Sequence, residues 1–145
     1  MTITINVPAK AEVFKRSIPV KVAKDGESWS EKQLGEYAKK PGVYVHAFNK
    51  EILYVGLASG QEGSKYGIFG ARLRREFTYK GAKKKDLYDL LASKKGLIDV
   101  CMFDYTEIDS LVTSDKPKLS SKAKAFIFEQ ALTAAFDPPG NRLQK

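Results

Sequence analysis

The chain opens on strict alternation. "TITINV" places isoleucine and threonine at period two and reads as a strand. "EVFKRSIPVKV" reads as a second strand, at a sheet edge, because Pro19 has no N–H to give to a neighbour. "SWSEKQLGEYAKK" changes to helical spacing, with Ser28 and Glu31 three apart as in a capping box, and Pro41 closes it. The next stretch, "PGVYVHAFNKEILYVG", is two short apolar arms around Asn49-Lys50 and predicts a tight hairpin. On its first arm Val43, Val45 and Ala47 share one face while Tyr44, His46 and Phe48 share the other. On the returning arm Leu53 and Val55 fall on one face, opposite Ile52 and Tyr54. Both tyrosines can therefore lie on one side of the sheet. A glycine-rich loop, "LASGQEGSKYGIFG", leads into the helix "ARLRREF". A second helix, "KKKDLYDLLASKKG", has Leu87, Leu90 and Leu91 in register and Gly96 as its stop. "LIDVCMFDY" is a third central strand, and "KPKLSSKAKAFIFEQALTAAF" is the strongest helix, ended by "DPPGN". The order predicts an α+β fold: a small antiparallel sheet of three core strands flanked by helices. Residues 1–40 form a strand and helix extension on a domain spanning 41–145, the whole being one compact unit.

Composition narrows the partners. With 145 residues the chain can bury one core unaided. A formal net charge of +8 favours a polyanion, and nucleic acid is the commonest; charge does not separate DNA from RNA. The single cysteine, Cys101, excludes an internal disulfide and a cysteine metal cluster, and sits where a small buried hydrophobe is expected. The single histidine, His46, excludes most histidine triads and histidine-rich metal sites, and its mid-strand position suits a structural role as well as an active-site one. No stretch has the pattern of a signal peptide or the length of a membrane span, so the expectation is a soluble, cytoplasmic protein.

Two residues interrupt their surroundings. Glu129 breaks the most apolar helical text in the chain. A carboxylate there ordinarily points to solvent; turned inward it needs a partner, and a divalent cation serves. One carboxylate completed by water and phosphate oxygens suits Mg2+, with Mn2+ as a substitute. Arg72 stands in the first turn of "RLRREF", where it can aim back at the hairpin's end, while Arg74 and Arg75 face other sides. The glycine loop before it is not a P-loop, because no Gly-Lys-Ser/Thr tripeptide follows.

Taken together these elements resemble the GIY-YIG nuclease family. Gly42-Val43-Tyr44 stands for the first motif and Tyr54-Val55-Gly56 for the second; Arg72-Leu73, the helical Glu129 and Asn141 in "FDPPGN" follow in order. The resemblance runs from about Pro41 to Asn141 and is closest to the branch that contains restriction endonucleases, given the long loop between Gly56 and Arg72. It implies hydrolysis of phosphodiester bonds with one divalent metal. In that reading Tyr44 takes a proton from water, Arg72 stabilises the pentavalent phosphorus and Glu129 holds the metal. Tyr54 and Asn141 support the site, and Gly56 lets the backbone approach substrate. A free phenol ionises near pH 10, so a nearby cation would have to favour the phenolate.

The chain departs from the pattern at Leu57, where such families often place a lysine. Lys65 or Arg74 could replace that charge. Glu76, four residues beyond Arg72, stands where the family often has histidine or tyrosine; it could assist proton transfer, though pairing with Arg72 is the favoured reading. Lys65, Arg74, Arg75, Lys80, Lys83, Lys84 and Lys85 would track nucleic-acid backbone, with Tyr79 among them, although such lysine runs are as often simply solvated. The chain has no room for a separate recognition domain, so specificity must come from the loop, the extension or a second subunit, which a homodimer would supply. The expected activity is a DNA endonuclease of restriction, phage or mobile-element type. The alternatives are a ribonuclease and a binding module of the same fold that has lost its chemistry, which Leu57 keeps open.

Overall fold

The computed structural model describes residues 1–80, 85–115 and 118–143; Lys83 and Lys84 lie outside them. The fold is α+β with antiparallel sheets. Strands β1 (Ile3–Ile5) and β6 (Val112–Ser114) pair with each other. The main sheet has the order β2-β5-β3-β4, from Ser17–Val20, Ile98–Asp104, Gly42–Phe48 and Glu51–Ala58. It thus holds four strands where the sequence predicts three. The fourth comes from the extension: β2 pairs antiparallel with β5, Ser17 opposite Cys101 and Val20 opposite Ile98. Pro19 sits on the edge strand, as its missing donor requires.

The rest of that predicted strand folds differently. Lys10–Lys15 is a short helix, α1, whose Val13 reaches the core. Lysine, alanine and glutamate favour helix here, and one apolar anchor fixes it. The segment Glu31–Lys39 is a 3₁₀ helix broken at Gly35, which takes φ 59°. Its cap is Ser30, whose side chain accepts from the Lys32 N–H at 3.2 Å, so Ser28 makes no capping box. The helices that follow are α2 (Phe69–Phe77), α3 (Lys85–Ala92), α4 (Tyr105–Leu111), α5 (Ser121–Phe136) and α6 (Pro139–Arg142). The pattern of apolar positions gives no notice of α4; it starts at a capping box in which Asp104 accepts from the Glu107 N–H at 2.8 Å and Glu107 accepts from the Asp104 N–H at 3.1 Å.

The central hairpin turns through Asn49 and Lys50, both with positive φ, which matches the twist of a two-residue turn. Its register slips between His46 and Ala47: His46 faces Tyr54 but Ala47 faces Ile52, leaving Leu53 as an extra residue. The bulge re-sorts the returning arm. Leu53 packs in the same layer as Tyr54, and Ile52 joins Val55 on the other side, against the simple alternation. Tyr44, His46 and Tyr54 stay together.

Two cores result. One face of the sheet, with Tyr44, Tyr54, Val100 and Met102, is covered by the 3₁₀ segment, α2 and α3. The other, with Val43, Val45, Val55, Cys101 and Phe103, is covered by α4 and α5 through Ile108, Ala125, Phe128 and Leu132. Strand β4 is the sheet's edge on the side where α5 and α6 pack. No helix among the described residues is long and apolar enough to cross a membrane.

Candidate active site

Strand β3 delivers Tyr44 and His46 to one face because strand residues two apart point the same way. Both are fully buried. Directly opposite Tyr44 in the register is Gly56. A Cβ on Gly56 would overlap the Cζ and Oη atoms of Tyr44, so the phenol lies flat across the glycine. The second motif's glycine therefore makes room for the tyrosine of the first, and the space the resemblance assigns to substrate at Gly56 is filled by that ring.

The Tyr44 hydroxyl donates to Oε2 of Glu76 on α2, and Nε2 of His46 lies 2.8 Å from Oε1 of the same carboxylate. One carboxylate thus joins both buried rings. The rings also pack against each other: His46 stands 4.9 Å from Tyr44 and stacks on Tyr54 at 5.8 Å, while Phe77 meets His46 edge-on at 4.9 Å. Nδ1 of His46 has no hydrogen-bond partner among the described residues. Glu76 makes no ion pair with Arg72, contrary to the favoured sequence reading; its two oxygens are taken by Tyr44 and His46.

The phenol of Tyr44 is held well above the ordinary range. Burial is the main cause, the charge on Glu76 adds to it, and Arg72 opposes both. Tyr44 therefore keeps its proton and uses it on Glu76. A nearby cation was expected to favour the phenolate; Arg72 is that cation, and it is outweighed.

Arg72, in the first turns of α2 and half-buried, has its own pKa raised, chiefly by its electrostatic interaction with the Tyr44 phenol, with desolvation opposing and Glu76 adding to the rise. Its charge also reaches Glu129. That carboxylate, half-buried on α5, has its pKa raised by desolvation, with a hydrogen bond from Gln130 at 2.6 Å and the Arg72 charge pulling the other way. Helices α2 and α5 cover opposite faces of the sheet, and the place where groups from both can approach is the free edge of β4.

Asn141 clasps that edge. Its Oδ1 accepts from the Val55 N–H and its Nδ2 donates to the Val55 carbonyl, both at 2.8 Å, copying the pairing of a missing strand. Val55 lies between Tyr54 and Gly56, so the clasp fixes the second motif. The chain before Asn141 comes as close: a Cβ on Gly140 would press on the Leu53 carbonyl and the Tyr54 side chain.

A single metal fits the donors present. Oε2 of Glu129 makes no hydrogen bond among the described residues, and a half-buried carboxylate with a raised pKa is one that a cation could bind. No group of three or more histidine, cysteine, aspartate or glutamate side chains is gathered for a metal among those residues. The fit is for a hydrated hard ion held by one carboxylate and substrate oxygens, not for a closed protein cage.

The proposed nucleic-acid track is mixed. Lys65 is exposed at the tip of the glycine loop, whose neck is closed by the Gly60 N–H donating to the Gly67 carbonyl at 2.7 Å. Arg74 instead donates to the Trp29 carbonyl at 3.2 Å and sits over the Trp29 ring, so it does not supply the charge absent at Leu57. Arg75 is half-buried, Lys80 is exposed, and Lys85 lies over the Tyr79 ring at 4.4 Å. Leu57 packs on the α5 side of the sheet.

Comparison with protein-family models, with curated proteins and with solved structures gave no significant match in any of the three.

Proposed function

We propose that this chain is a divalent-metal-dependent DNA endonuclease of GIY-YIG type. One feature carries the reading: Tyr44 and Tyr54 share the sheet face covered by α2, which bears Arg72 and Glu76, beside β4, on which α5 with Glu129 also packs, and the Arg72 charge favours the ionised form of both Tyr44 and Glu129. Arg72 would meet a scissile phosphate and stabilise the charge that grows on it as water attacks. The new bond joins the water oxygen to phosphorus; the bond to the leaving sugar oxygen breaks, and that oxygen takes its proton from solvent. Glu129 would hold the metal, which when bound supplies Lewis-acid stabilisation of the phosphate oxygens. Asn141 keeps Tyr54 and Gly56 in register beneath Tyr44. Lys65, Lys80 and Lys85 supply positive charge for the backbone, and specificity falls to the glycine loop, the extension or a second copy in a homodimer. A restriction or mobile-element nuclease of this kind would work in the cytoplasm.

The test is digestion of mixed-sequence DNA, and of RNA in parallel, with Mg2+ and with chelator. The expected result is Mg2+-dependent cutting of DNA, with Arg72→Ala and Glu129→Ala each at least about 100-fold slower, the scale of losing one transition-state contact. Glu129→Ala should keep DNA binding, since it removes negative charge from a phosphate site. The complete burial of Tyr44 supports a second reading, a binding module without chemistry. Gel retardation of DNA without nicking would favour it.

A further inference from the structure

We propose that Glu76 is the acceptor of the Tyr44 proton and that His46 is the positioning residue that holds Glu76 for this task. The proposal rests on the nuclease reading and names how its tyrosine can act although buried and protonated. A phenol that keeps its proton cannot take another from water unless it passes the first one on. Among the described residues the Tyr44 hydroxyl donates to Oε2 of Glu76 alone, and the shift is a single step along that hydrogen bond. In it, a water proton goes to Oη of Tyr44 as the Oη proton goes to Glu76, and the water lone pair attacks phosphorus. Glu76 returns the proton to solvent after the product leaves, so the unit ends as it began.

The role of His46 follows from its geometry. Its ring is locked between Tyr54, Tyr44 and Phe77, and Nε2 reaches Oε1 of Glu76 at 2.8 Å. A carboxylate accepts and does not donate, so Nε2 carries the hydrogen and the orphan Nδ1 is the bare nitrogen. This fixes the carboxylate's second oxygen on Tyr44. The charged and titratable groups facing Tyr44 are Glu76 and Arg72 of α2, Tyr54 of β4 and His46 of its own strand. A histidine fully buried beside a carboxylate, with its other nitrogen unpartnered, is hard to explain as packing alone, because a phenylalanine would fill the space without leaving a polar atom unmet.

The experiment uses the full chain, with Glu76→Gln and His46→Phe. Glu76→Gln keeps the shape, and its amide can still accept from Tyr44 and donate to Nε2 of His46 once that ring takes its other tautomer, but it cannot take the proton. Its kcat should fall at least about 100-fold, the range of acid–base assistance. KM should stay within a few-fold and the melting temperature near that of the wild type. Its log kcat should rise with pH at unit slope through the alkaline range, where solvent hydroxide replaces the lost acceptor, while the wild type is flatter there. His46→Phe should show a smaller loss, about ten-fold, and the same change of profile. A Glu76→Gln enzyme within a few-fold of wild-type kcat, with an unchanged profile, would overturn the proposal. An arm without activity uses nitrogen NMR on the only histidine in the chain. A protonated Nε2 and a bare Nδ1 in the wild type support the unit; the opposite tautomer overturns it. Failure of the wild type to cut any nucleic acid would sink the nuclease reading separately, leaving the NMR result to decide the Tyr44–Glu76–His46 chain.

Discussion

The two faces of the central sheet are built from the same strands and differ in what they bury. On one, β3 presents Val43 and Val45 to Phe103, Phe128 and Leu132, with Cys101 the sole side chain among these with a proton to lose. On the other, the alternate residues of β3 are Tyr44 and His46, and the helix above answers with Glu76 and Arg72. Both faces are dry. The first is stabilised by contact area, which tolerates exchange among hydrophobes of similar volume. The second buries polar atoms that must be paired in one arrangement, and such networks are kept for what they do as much as for what they stabilise. Chemistry is therefore sought on the second face and at the β4 edge, on which α5 with Glu129 packs, and stability on the first.

Substitutions can break this contrast. The largest stability effect should come from the apolar face: Phe128→Ala empties a site packed edge-on against Phe103 at 5.1 Å and should lose about 3–5 kcal/mol, read by urea unfolding. Tyr44→Phe should do the reverse. It keeps the ring and removes the proton donor, so cleavage falls at least about 100-fold, equal to about 2.7 kcal/mol of barrier, with a smaller change in unfolding. Gly56→Ala drives a methyl into the Tyr44 ring and should lose about 1–3 kcal/mol of stability and the activity with it. Asn141→Ala leaves both backbone groups of Val55 without their clasp and should lose about 1–3 kcal/mol, less if water enters.

The smallest effect is a pH dependence that both faces share. Burial pushes the Cys101 thiol up to about 12 from an ordinary value of 9.0, and Tyr44 is raised well above 10.0. A group whose folded pKa is raised adds stability that is complete below its unfolded pKa and is lost as pH climbs toward the folded one. Unfolding midpoints should therefore fall from about pH 9 upward. Cys101→Val should flatten the fall from its lower end and Tyr44→Phe from its upper end, which separates the faces by pH.

Much of the fold was legible where one physical rule acted alone. The hairpin, α5 and β5 follow from period and stop signals, and Pro19 correctly marked an edge. Legibility failed where a rule was overridden by packing. The bulge at Leu53 inserts a residue that no alternation reveals, and α1 forms in a segment whose Val13 and Phe14 also suit a strand. Helix α4 is signalled only by Asp104 and Glu107, three apart. In the site, the order of motifs pointed to Tyr44, Arg72, Glu129 and Asn141. It could not show that Glu76 turns from its helix neighbour Arg72 to the sheet, because that choice depends on where two buried rings need an acceptor. The available signal was His46 itself, two residues from Tyr44 on an otherwise closed face and without a polar neighbour in sequence.

The central claim is that Tyr44, Arg72 and Glu129 act on one phosphate as a unit. Its most direct test is single-turnover cleavage of one DNA substrate, at saturating Mg2+, by the three single variants Tyr44→Phe, Arg72→Ala and Glu129→Ala and by the triple. Groups that act together lose their effect together, so each single variant should be at least about 100-fold slower and the triple little worse than the worst single. Losses that multiply across the three, or any single variant cutting at the wild-type rate, would contradict it.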